Sequence, residues 1–323
     1  MVEEILPGIF RIEVPIPRSP LKALNSYLVK GPDRNLLIDV GMNRHECRDA
    51  MFSALERLSV DLDRTDFFIT HMHSDHSGLI SDLASAGSSI YCSRPDADVI
   101  NSDSHWVGRL ALAELNGFPA DQLRDALERH PGYRYRPRGP VDFTIVGEGD
   151  IVSAGDYRFR CLETPGHTRG HLCLYDADRR LLVAGDHVLD DITPNISLWS
   201  ADLNPLQDFL DSLDRTYALE VDLVLPGPRR LITDCRRRVR EIQRHHGARA
   251  AEVLSILERG AQSAFDVASR MTWDMTYDSW EQFPVPQKWF ATGEAIAHLR
   301  YLEQKGLVQR GMIDGRILFW LSA

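Results

Sequence analysis

A cluster of three histidines and one aspartate is the part of the sequence best suited to chemistry. His71, His73, Asp75 and His76 lie in the segment Thr-His-Met-His-Ser-Asp-His-Ser-Gly at 70–78, directly after an apolar run. Imidazole nitrogens and a carboxylate at the end of a buried strand are ligands that Zn²⁺, Mn²⁺ or Fe²⁺ takes in proteins. If the strand continues, His71 and His73 point the same way, because side chains alternate with period two. Asp75 and His76 can then approach a second ion, so the segment predicts a metal centre.

Two later segments end apolar runs with further ligand-type side chains. In Glu-Thr-Pro-Gly-His-Thr-Arg-Gly-His at 163–171, proline and glycine build a tight turn that presents His167. In Leu-Val-Ala-Gly-Asp-His at 182–187, the apolar run ends on Asp186. Either segment alone is more typical of a structural loop. Together with the first cluster, they supply a third histidine and a carboxylate that could bridge two ions.

The order and spacing of these motifs carry a family resemblance. H-x-H-x-D-H, T-P-G-H-T-x-G-H and G-D resemble the motifs of the metallo-β-lactamase superfamily, over about residues 5–230. The resemblance implies one or two divalent ions, zinc first, with manganese or iron as alternatives. The implied ligands of the first ion are His71, His73 and His167. Those of the second are Asp75 and His76, with Asp186 bridging both ions.

The same resemblance assigns outer positions around the metals. Asp39, in Leu-Ile-Asp-Val-Gly, matches an aspartate that orients the ligands, and His171 and His187 match accessory positions. The family usually has a further ligand in Leu-Pro-Gly-His, but this chain has Pro228 there. Proline has no side-chain donor atom.

Three outcomes of this departure stay open. The chain could bind two ions, the second loosely, or it could work with one ion in the site of His71, His73 and His167. Alternatively, it could have lost hydrolytic competence or use a replacement ligand. The candidates for a replacement ligand are His187, His245 and His246.

Alternating strands and helices must position these residues. Apolar runs predict strands at 9–16, 25–30, 36–41, 67–70, 89–92, 141–146, 157–163, 172–175, 181–184 and 221–225. Helical patterns lie between several of them, and 95–140 is a helical insertion with helices at 96–116 and 121–129 and a loop at 130–140. The fold class is therefore α/β, and the resemblance implies the four-layer αβ/βα metallo-β-lactamase sandwich.

After the last core strand, the alternation of strands and helices gives way to a charged, helical pattern. We expect a catalytic domain at 1–232 and a helical linker with a winged-helix-like domain at 233–323. The Asp314-Gly315 pair between two apolar runs predicts a hairpin that closes this second domain. A winged-helix extension is also found in one branch of the superfamily, which includes relatives of a mitochondrial endoribonuclease.

Composition narrows the cellular setting and the partners. The 323 residues carry a net charge of −10, which argues against electrostatic binding of nucleic acid or an anionic membrane over a broad surface. We see no signal peptide at the start and no run of about 18 apolar residues that would span a membrane. The five cysteines are scattered, as is typical of free thiols in a reducing compartment. We therefore expect a cytoplasmic protein that acts on a small molecule and could form a homodimer.

The function favoured by these residues is hydrolysis of a small ester, thioester or lactone by metal-activated water. Asp75 would also orient the nucleophile and shuttle a proton. The insertion would roof the pocket, and Tyr133, Arg134 and Arg136 could bind an anionic part of the substrate, although such a cluster is more typical of a solvated loop.

Two other functions stay open. One is a phosphodiesterase or endoribonuclease that grips RNA with the winged helix. Against it, residues 247–323 hold 8 lysines and arginines and 9 aspartates and glutamates, whereas a nucleic-acid reader usually has a basic stripe. The other is a degenerate, non-catalytic sensor or binding protein, marked by Pro228, in which Trp273 and Trp280 belong to a partner surface. Packing in a core is the more ordinary role for these tryptophans.

Overall fold

The structure is a computed structural model, and it describes residues 1–17, 19, 21–197, 200, 203–274 and 277–322. The chain forms two compact units that are interleaved in sequence. The first unit comprises residues 1–102, 131–194 and 212–239. The second comprises residues 103–130, 195–211 and 240–323. The predicted domain boundary at 232 stays a prediction.

The first unit contains a seven-stranded mixed sheet whose strands follow one another in chain order. Its strands are β1 (Val2–Leu6), β2 (Ile9–Pro15), β3 (Ala23–Val29), β4 (Asn35–Ile38), β5 (Thr65–Phe68), β6 (Ile90–Cys92) and β7 (Thr144–Ile145). Strands β1 to β4 pair antiparallel, and β4 to β7 pair parallel. The carboxyl ends of β4, β5 and β6 therefore meet at one edge of the sheet, where the loop that follows β5 carries the histidine cluster.

A five-stranded sheet completes the strands of the first unit. Its strands are β8 (Ile151–Ala154), β9 (Tyr157–Glu163), β10 (Leu172–Asp176), β11 (Leu181–Gly185) and β12 (Leu223–Pro226). Neighbouring strands pair antiparallel except β11 and β12, which pair parallel. The connection from β9 to β10 and the carboxyl end of β11 carry the two later motifs.

The two sheets of the first unit pack face to face. Alternation along β4 shows how: Leu36 and Ile38 join Phe159 and Leu225 of the other sheet in one buried cluster. Leu37 points to the opposite face and packs in a second cluster with residues of the first helix. This period of two is the pattern of a strand buried on both faces. The helices of the first unit are α1 (His45–Arg57), α2 (Ser74–Ser77), α3 (Ile80–Leu83), α4 (Arg94–Ile100) and α7 (Pro131–Arg134), with a 3₁₀ turn at Leu62–Arg64.

The second unit is built from helices and one hairpin. Its helices are α5 (Ser104–Leu115), α6 (Leu123–Arg129), α10 (Ala264–Ala268) and α11 (Val285–Gln304), with 3₁₀ turns at Ala120–Gln122 and Trp280–Gln282. Helices α8 (Pro205–Tyr217) and α9 (Cys235–Leu257) contribute residues to both units. No helix in the described chain has the length and apolar character to cross a membrane.

The hairpin of the second unit pairs β13 (Val308–Ile313) with β14 (Arg316–Leu321). Asp314 and Gly315 form its turn, and both have positive φ, as a two-residue hairpin turn requires. Phe319 packs in the core of this unit with Val253 of α9 and Leu299 of α11. The hairpin prediction is confirmed, whereas the winged-helix assignment stays a prediction.

The α/β sandwich predicted from the sequence is confirmed, and the differences are local. Strands β1 and β8 were not predicted. The helix expected from 96 to 116 is two helices, α4 and α5, separated at 101–103. The segment 130–140, expected to be a loop, begins with the short helix α7. None of these differences moves a residue of the histidine cluster.

Candidate metal centre

The first motif turns sharply between β5 and α2, and this turn brings its side chains together. His73 is the residue before α2 and keeps an extended backbone. The hydroxyl of Ser77 donates hydrogen bonds to the carbonyls of Met72 (3.2 Å) and His73 (3.0 Å), which ties the turn to the helix. His71 Nε2 then lies 3.0 Å from His73 Nδ1. The extended chain therefore presents both imidazoles, and α2 returns Asp75 and His76 to the same place.

Two glycines let the later motifs approach this turn. Gly166 has a φ of 138° beside His167, and its N–H donates to the carbonyl of Thr168 (2.9 Å). Gly185 has a φ of 47° before Asp186, and a Cβ there would lie 2.8 Å from the hydroxyl of Thr70. Both positions favour glycine because side chains rarely tolerate positive φ.

All six predicted ligands lie in one cluster, in which His73 and Asp75 are half-buried and the other four are buried. The nitrogens of His71, His73 and His167 lie within 4.8 Å of one another, as do the donor atoms of a second group, His71, His76 and Asp186. Asp186 reaches both groups, since its carboxylate oxygens lie 3.3 Å from His76 Nε2 and 3.6 Å from His167 Nε2. Asp75 Oδ2 lies 3.7 Å from His76 Nε2.

The donor atoms fit metal ions. His76 Nε2 and Asp186 Oδ1 are buried, and neither has a hydrogen-bond partner among the described residues. Burial holds the pKa of His71 well below its usual value, and neighbouring imidazoles lower it further, so this ring is neutral. Burial raises the pKa of Asp186, but His76 and His167 outweigh it and keep the carboxyl ionised. A neutral imidazole and a carboxylate are the forms that bind a divalent cation.

Asp39 supports the cluster by accepting hydrogen bonds from the first motif. Its backbone has a φ of 57°, and its buried carboxylate accepts hydrogen bonds from Thr70 N (2.9 Å) and from His76 Nδ1 (2.7 Å). Nδ1 of His76 therefore carries a proton, and Nε2 faces the other ligands. Burial lowers the pKa of His76, but the carboxylates of Asp39, Asp186 and Asp75 raise it well above its usual value. A carboxylate behind a histidine in this way orients metal ligands.

His171 and His187 lie beside the cluster, and hydrogen bonds to other groups engage both ring nitrogens of His171 and Nε2 of His187. His171 Nε2 accepts the backbone N–H of Asp186 (3.1 Å), and its Nδ1 lies 2.7 Å from the hydroxyl of Thr164. His187 Nε2 lies 2.9 Å from the hydroxyl of Thr216. Burial lowers the pKa of His171 well below its usual value and that of His187 to about 3, so both rings are neutral. These hydrogen bonds suit residues that support Asp186 and its loop.

Pro228 stands where the family motif has a further ligand, and the backbone at Gly227 packs against the cluster instead of a donor side chain. Gly227 packs so closely that a Cβ there would lie 2.6 Å from Asp186 Oδ1 and 2.8 Å from His76 Cε1. Pro228 follows, buried, and forms an isolated bridge with Leu24. The other replacement candidates, His245 and His246, belong to the second unit, where His246 Nδ1 lies 3.3 Å from His298 Nε2.

The predicted substrate-binding residues lie on α7 and the loop after it. The guanidinium of Arg136 stacks on Tyr133 at 4.8 Å, and that of Arg134 stacks on Tyr135 at 5.4 Å. Backbone carbonyls of this loop accept hydrogen bonds from Asn43. A Cβ on Gly78, next to α2, would lie 2.6 Å from the carbonyl of Tyr135, so the loop packs against the helix that carries Asp75.

One residue of the site was missed. Asp96, on α4, is 1% exposed, and its carboxylate accepts hydrogen bonds from Met72 N and Thr168 Oγ1. These atoms belong to two of the ligand-bearing loops. In the sequence, Asp96 follows Ser93-Arg94-Pro95, which is typical of an ordinary helix start, so nothing nearby in the chain signals these distant contacts.

Comparison with known proteins agrees with this geometry. A model of the metallo-beta-lactamase superfamily matches residues 21–228, and a model of a metallo-beta-lactamase-like C-terminal domain matches residues 250–320. The chain is similar to acyl-coenzyme A thioesterase MBLAC2 of Homo sapiens, with 26% identity over 233 residues, 68% of this chain and 77% of the relative.

Two crystal structures are similar over nearly the whole chain. One is a metallo-beta-lactamase family protein from Thermus thermophilus, with 28% identity and a TM-score of 0.83, covering 98% of this chain and 100% of that one. The other is a beta-lactamase domain protein from Burkholderia ambifaria, with 25% identity and a TM-score of 0.84, covering 99% and 94%. Since the superfamily model matches well over half of the sequence, this protein belongs to the metallo-β-lactamase superfamily and is a hydrolase of that fold.

Proposed function

We propose that this hydrolase cleaves thioesters, with acyl-coenzyme A esters as the substrate class, and that small esters and lactones are secondary substrates. The observation that carries the proposal is the buried cluster in which two groups of donor atoms share His71. The similarity to a named acyl-coenzyme A thioesterase supports the choice of a thioester over other acyl compounds.

His71, His73 and His167 would hold the first divalent ion, which we propose to be zinc. Asp75, His76 and Asp186 would hold a second ion. When bound, such ions lower the pKa of water towards about 7 and polarise a carbonyl oxygen. The two atoms that support this assignment best are His76 Nε2 and Asp186 Oδ1, because they are buried without hydrogen-bond partners in the described chain.

Asp75 is the proposed catalytic acid–base residue. Burial raises the pKa of its carboxyl, and the neighbouring Asp186 raises it further. A carboxylate in this position can take a proton from the attacking water and pass it to the leaving thiolate. Its position at the start of α2, 3.7 Å from His76 Nε2, supports this role.

The second ion would be bound more weakly than the first. Pro228 offers no donor atom, and Gly227 presents only backbone to His76 and Asp186. The proposed site therefore has one histidine and two carboxylates for this ion. We expect the first ion to stay bound through purification and the second to need added metal.

We also propose that Tyr133, Arg134 and Arg136 bind an anionic part of the substrate. Stacking on the tyrosines restricts the guanidiniums, so less side-chain entropy is lost when they pair with a phosphate. Coenzyme A carries such phosphates far from its thioester. The packing of this loop against the helix of Asp75 supports the proposal.

We further propose that the protein acts on a small-molecule substrate, binds neither nucleic acid nor membrane and works in the cytoplasm, where it could form a homodimer. The low net charge of residues 247–323 supports the exclusion of RNA even if this region is a winged helix. The tryptophans considered for a partner surface, Trp273 and Trp280, pack against the core of the second unit. An RNA affinity that falls steeply with salt would favour the endoribonuclease instead.

Release of free thiol from acyl-coenzyme A tests the proposal. We expect turnover by the zinc-loaded protein, and loss of nearly all of it in His73→Ala and Asp75→Asn. His45→Ala is the control, because the side chain of His45 is 81% exposed and belongs to neither ligand group. Full activity in His73→Ala would contradict the proposal. The absence of thiol release by the wild type as well as by both variants would also contradict it.

A further inference from the structure

Asp96 connects the loops that carry the proposed ligands of the first ion. Its Oδ2 accepts the backbone N–H of Met72 (2.9 Å), the residue between His71 and His73. The same oxygen accepts the hydroxyl of Thr168 (2.7 Å), which follows His167. Its Oδ1 accepts the backbone N–H of Gly170 (2.9 Å). One side chain on α4 therefore reaches segments 24, 72 and 74 residues away.

We infer that Asp96 is a positioning residue that sets the separation of the histidines of the first metal site and thereby its affinity for metal. Each loop also has contacts of its own, such as the hydrogen bonds from the Ser77 hydroxyl to the carbonyls of Met72 and His73, but the carboxylate of Asp96 contacts both loops. His73 and His167, whose ring centroids are 4.6 Å apart, come from different loops. The carboxylate of Asp96 holds the backbone next to His73 and the side chain next to His167, so it acts on the metal through the ligands and does not bind the metal itself.

The chemistry of the three contacts requires a carboxylate. Met72 and Gly170 donate backbone N–H groups to different oxygens of Asp96, so both positions must be acceptors. An asparagine has one oxygen and one NH₂ group. Either orientation of its amide would place the NH₂ group against one of the two backbone N–H groups. Asp96→Asn keeps the shape of the side chain but forces at least one loop away.

The chain offers a matched control in Asp176, at the far end of β10. Asp176 is also 1% exposed, and its two oxygens accept the backbone N–H groups of Arg158 (3.1 Å) and Arg179 (3.0 Å). Asp176→Asn therefore meets the same conflict in the same unit, with none of the ligand loops involved. It should lower stability to a similar degree and leave metal binding unchanged.

The experiment measures the affinity of the metal-stripped full chain for Zn²⁺ by competition with a chromophoric chelator, together with the absorption spectrum of the Co²⁺-loaded protein. The inference rests on the proposed metal site but not on the substrate, since neither readout needs turnover. We expect Asp96→Asn to weaken Zn²⁺ binding by about 10- to 100-fold, as is typical of residues that support metal ligands, and to change the Co²⁺ spectrum. Asp176→Asn should keep both properties of the wild type.

Thr168→Val removes one contact of Asp96 and keeps the shape of the side chain, so it serves if Asp96→Asn does not fold. We expect this variant to weaken Zn²⁺ binding by a smaller factor than Asp96→Asn. Wild-type Zn²⁺ affinity in both variants, or an equal loss of affinity in Asp176→Asn, would overturn the inference. Zinc binding that responds as expected in a protein that cleaves no thioester would leave the inference standing and refute only the proposed substrate.

Discussion

A single methyl group at Gly227 should disable the centre for a steric reason. A Cβ at this position would lie 2.6 Å from Asp186 Oδ1, 2.8 Å from His76 Cε1 and 3.2 Å from the carbonyl of Gly185. Ordinary contact begins at about 3.4 Å, so the first two contacts fall short by about 0.8 and 0.6 Å. The φ of Gly227 lies outside the region that disfavours a side chain, and so Gly227→Ala tests crowding alone.

The structure leaves the methyl group little room to be accommodated. His76 cannot move back without breaking its hydrogen bond to Asp39 (2.7 Å), so Asp186 must move away by most of the shortfall. Crowding of this kind costs about 1–3 kcal/mol of stability. A displacement of about 1 Å at a reacting centre costs about 100-fold in rate. We therefore expect Gly227→Ala to lower kcat/KM for an acyl-coenzyme A by about 10- to 100-fold.

The assay combines thiol release, zinc content and denaturant unfolding. The control is Gly247→Ala on α9, where an added Cβ would meet nothing within 4 Å. Removing a helix-interior glycine should stabilise the protein by about 1 kcal/mol and leave turnover unchanged. If Gly227→Ala keeps wild-type zinc content and kcat/KM, Asp186 and His76 do not form a metal site of the proposed geometry.

Three further perturbations test other parts of the account. Asp39→Asn removes the charged acceptor behind His76 and should weaken Zn²⁺ binding by about 10- to 100-fold in a chelator competition; unchanged affinity would contradict the role of Asp39. Burial lowers the pKa of His298 from 6.5 to about 4, so between these pH values the unfolded chain takes up a proton that the folded chain does not. This residue alone should therefore lower the free energy of unfolding by about 3 kcal/mol as the pH drops from 6.5 to 4, and denaturant titrations of His298→Gln should show a profile that is flatter than the wild type by this amount. Arg136→Ala should raise KM for an acyl-coenzyme A by about fivefold, which corresponds to about 1 kcal/mol, and should leave KM for a short neutral thioester unchanged. An equal rise of KM for both substrates would mean that Arg136 does not bind the phosphates.

Most of the fold could be predicted because its strands are apolar and alternate. Strand β4 shows this well, since Leu36, Leu37 and Ile38 divide between two buried clusters. Strand β1 was missed for the opposite reason: Glu3 and Glu4 are exposed at the edge of the sheet and give it no apolar signature. An edge strand is defined by its backbone pairing, which the residue pattern does not record.

The candidate ligands could be predicted because they occur in short motifs at strand ends. The residues that set their geometry could not. Asp96 acts on segments up to 74 residues away, and its local sequence is that of an ordinary helix start. Gly227 reaches Asp186 only because its N–H pairs with the carbonyl of Gly185 (2.7 Å), next to the parallel pairing of β11 and β12. Such contacts depend on tertiary pairing, which spacing along the chain does not encode.

The central claim is that the cluster around His71 binds divalent metal and that this metal is required for thioester hydrolysis. The most direct test is a Zn²⁺ titration of the metal-stripped protein, with thiol release from acyl-coenzyme A followed at each addition. We predict no turnover without metal and a rise in turnover that saturates between about one and two equivalents of Zn²⁺ per chain. Turnover that is independent of metal, or a fully zinc-loaded protein that releases no thiol, would contradict it.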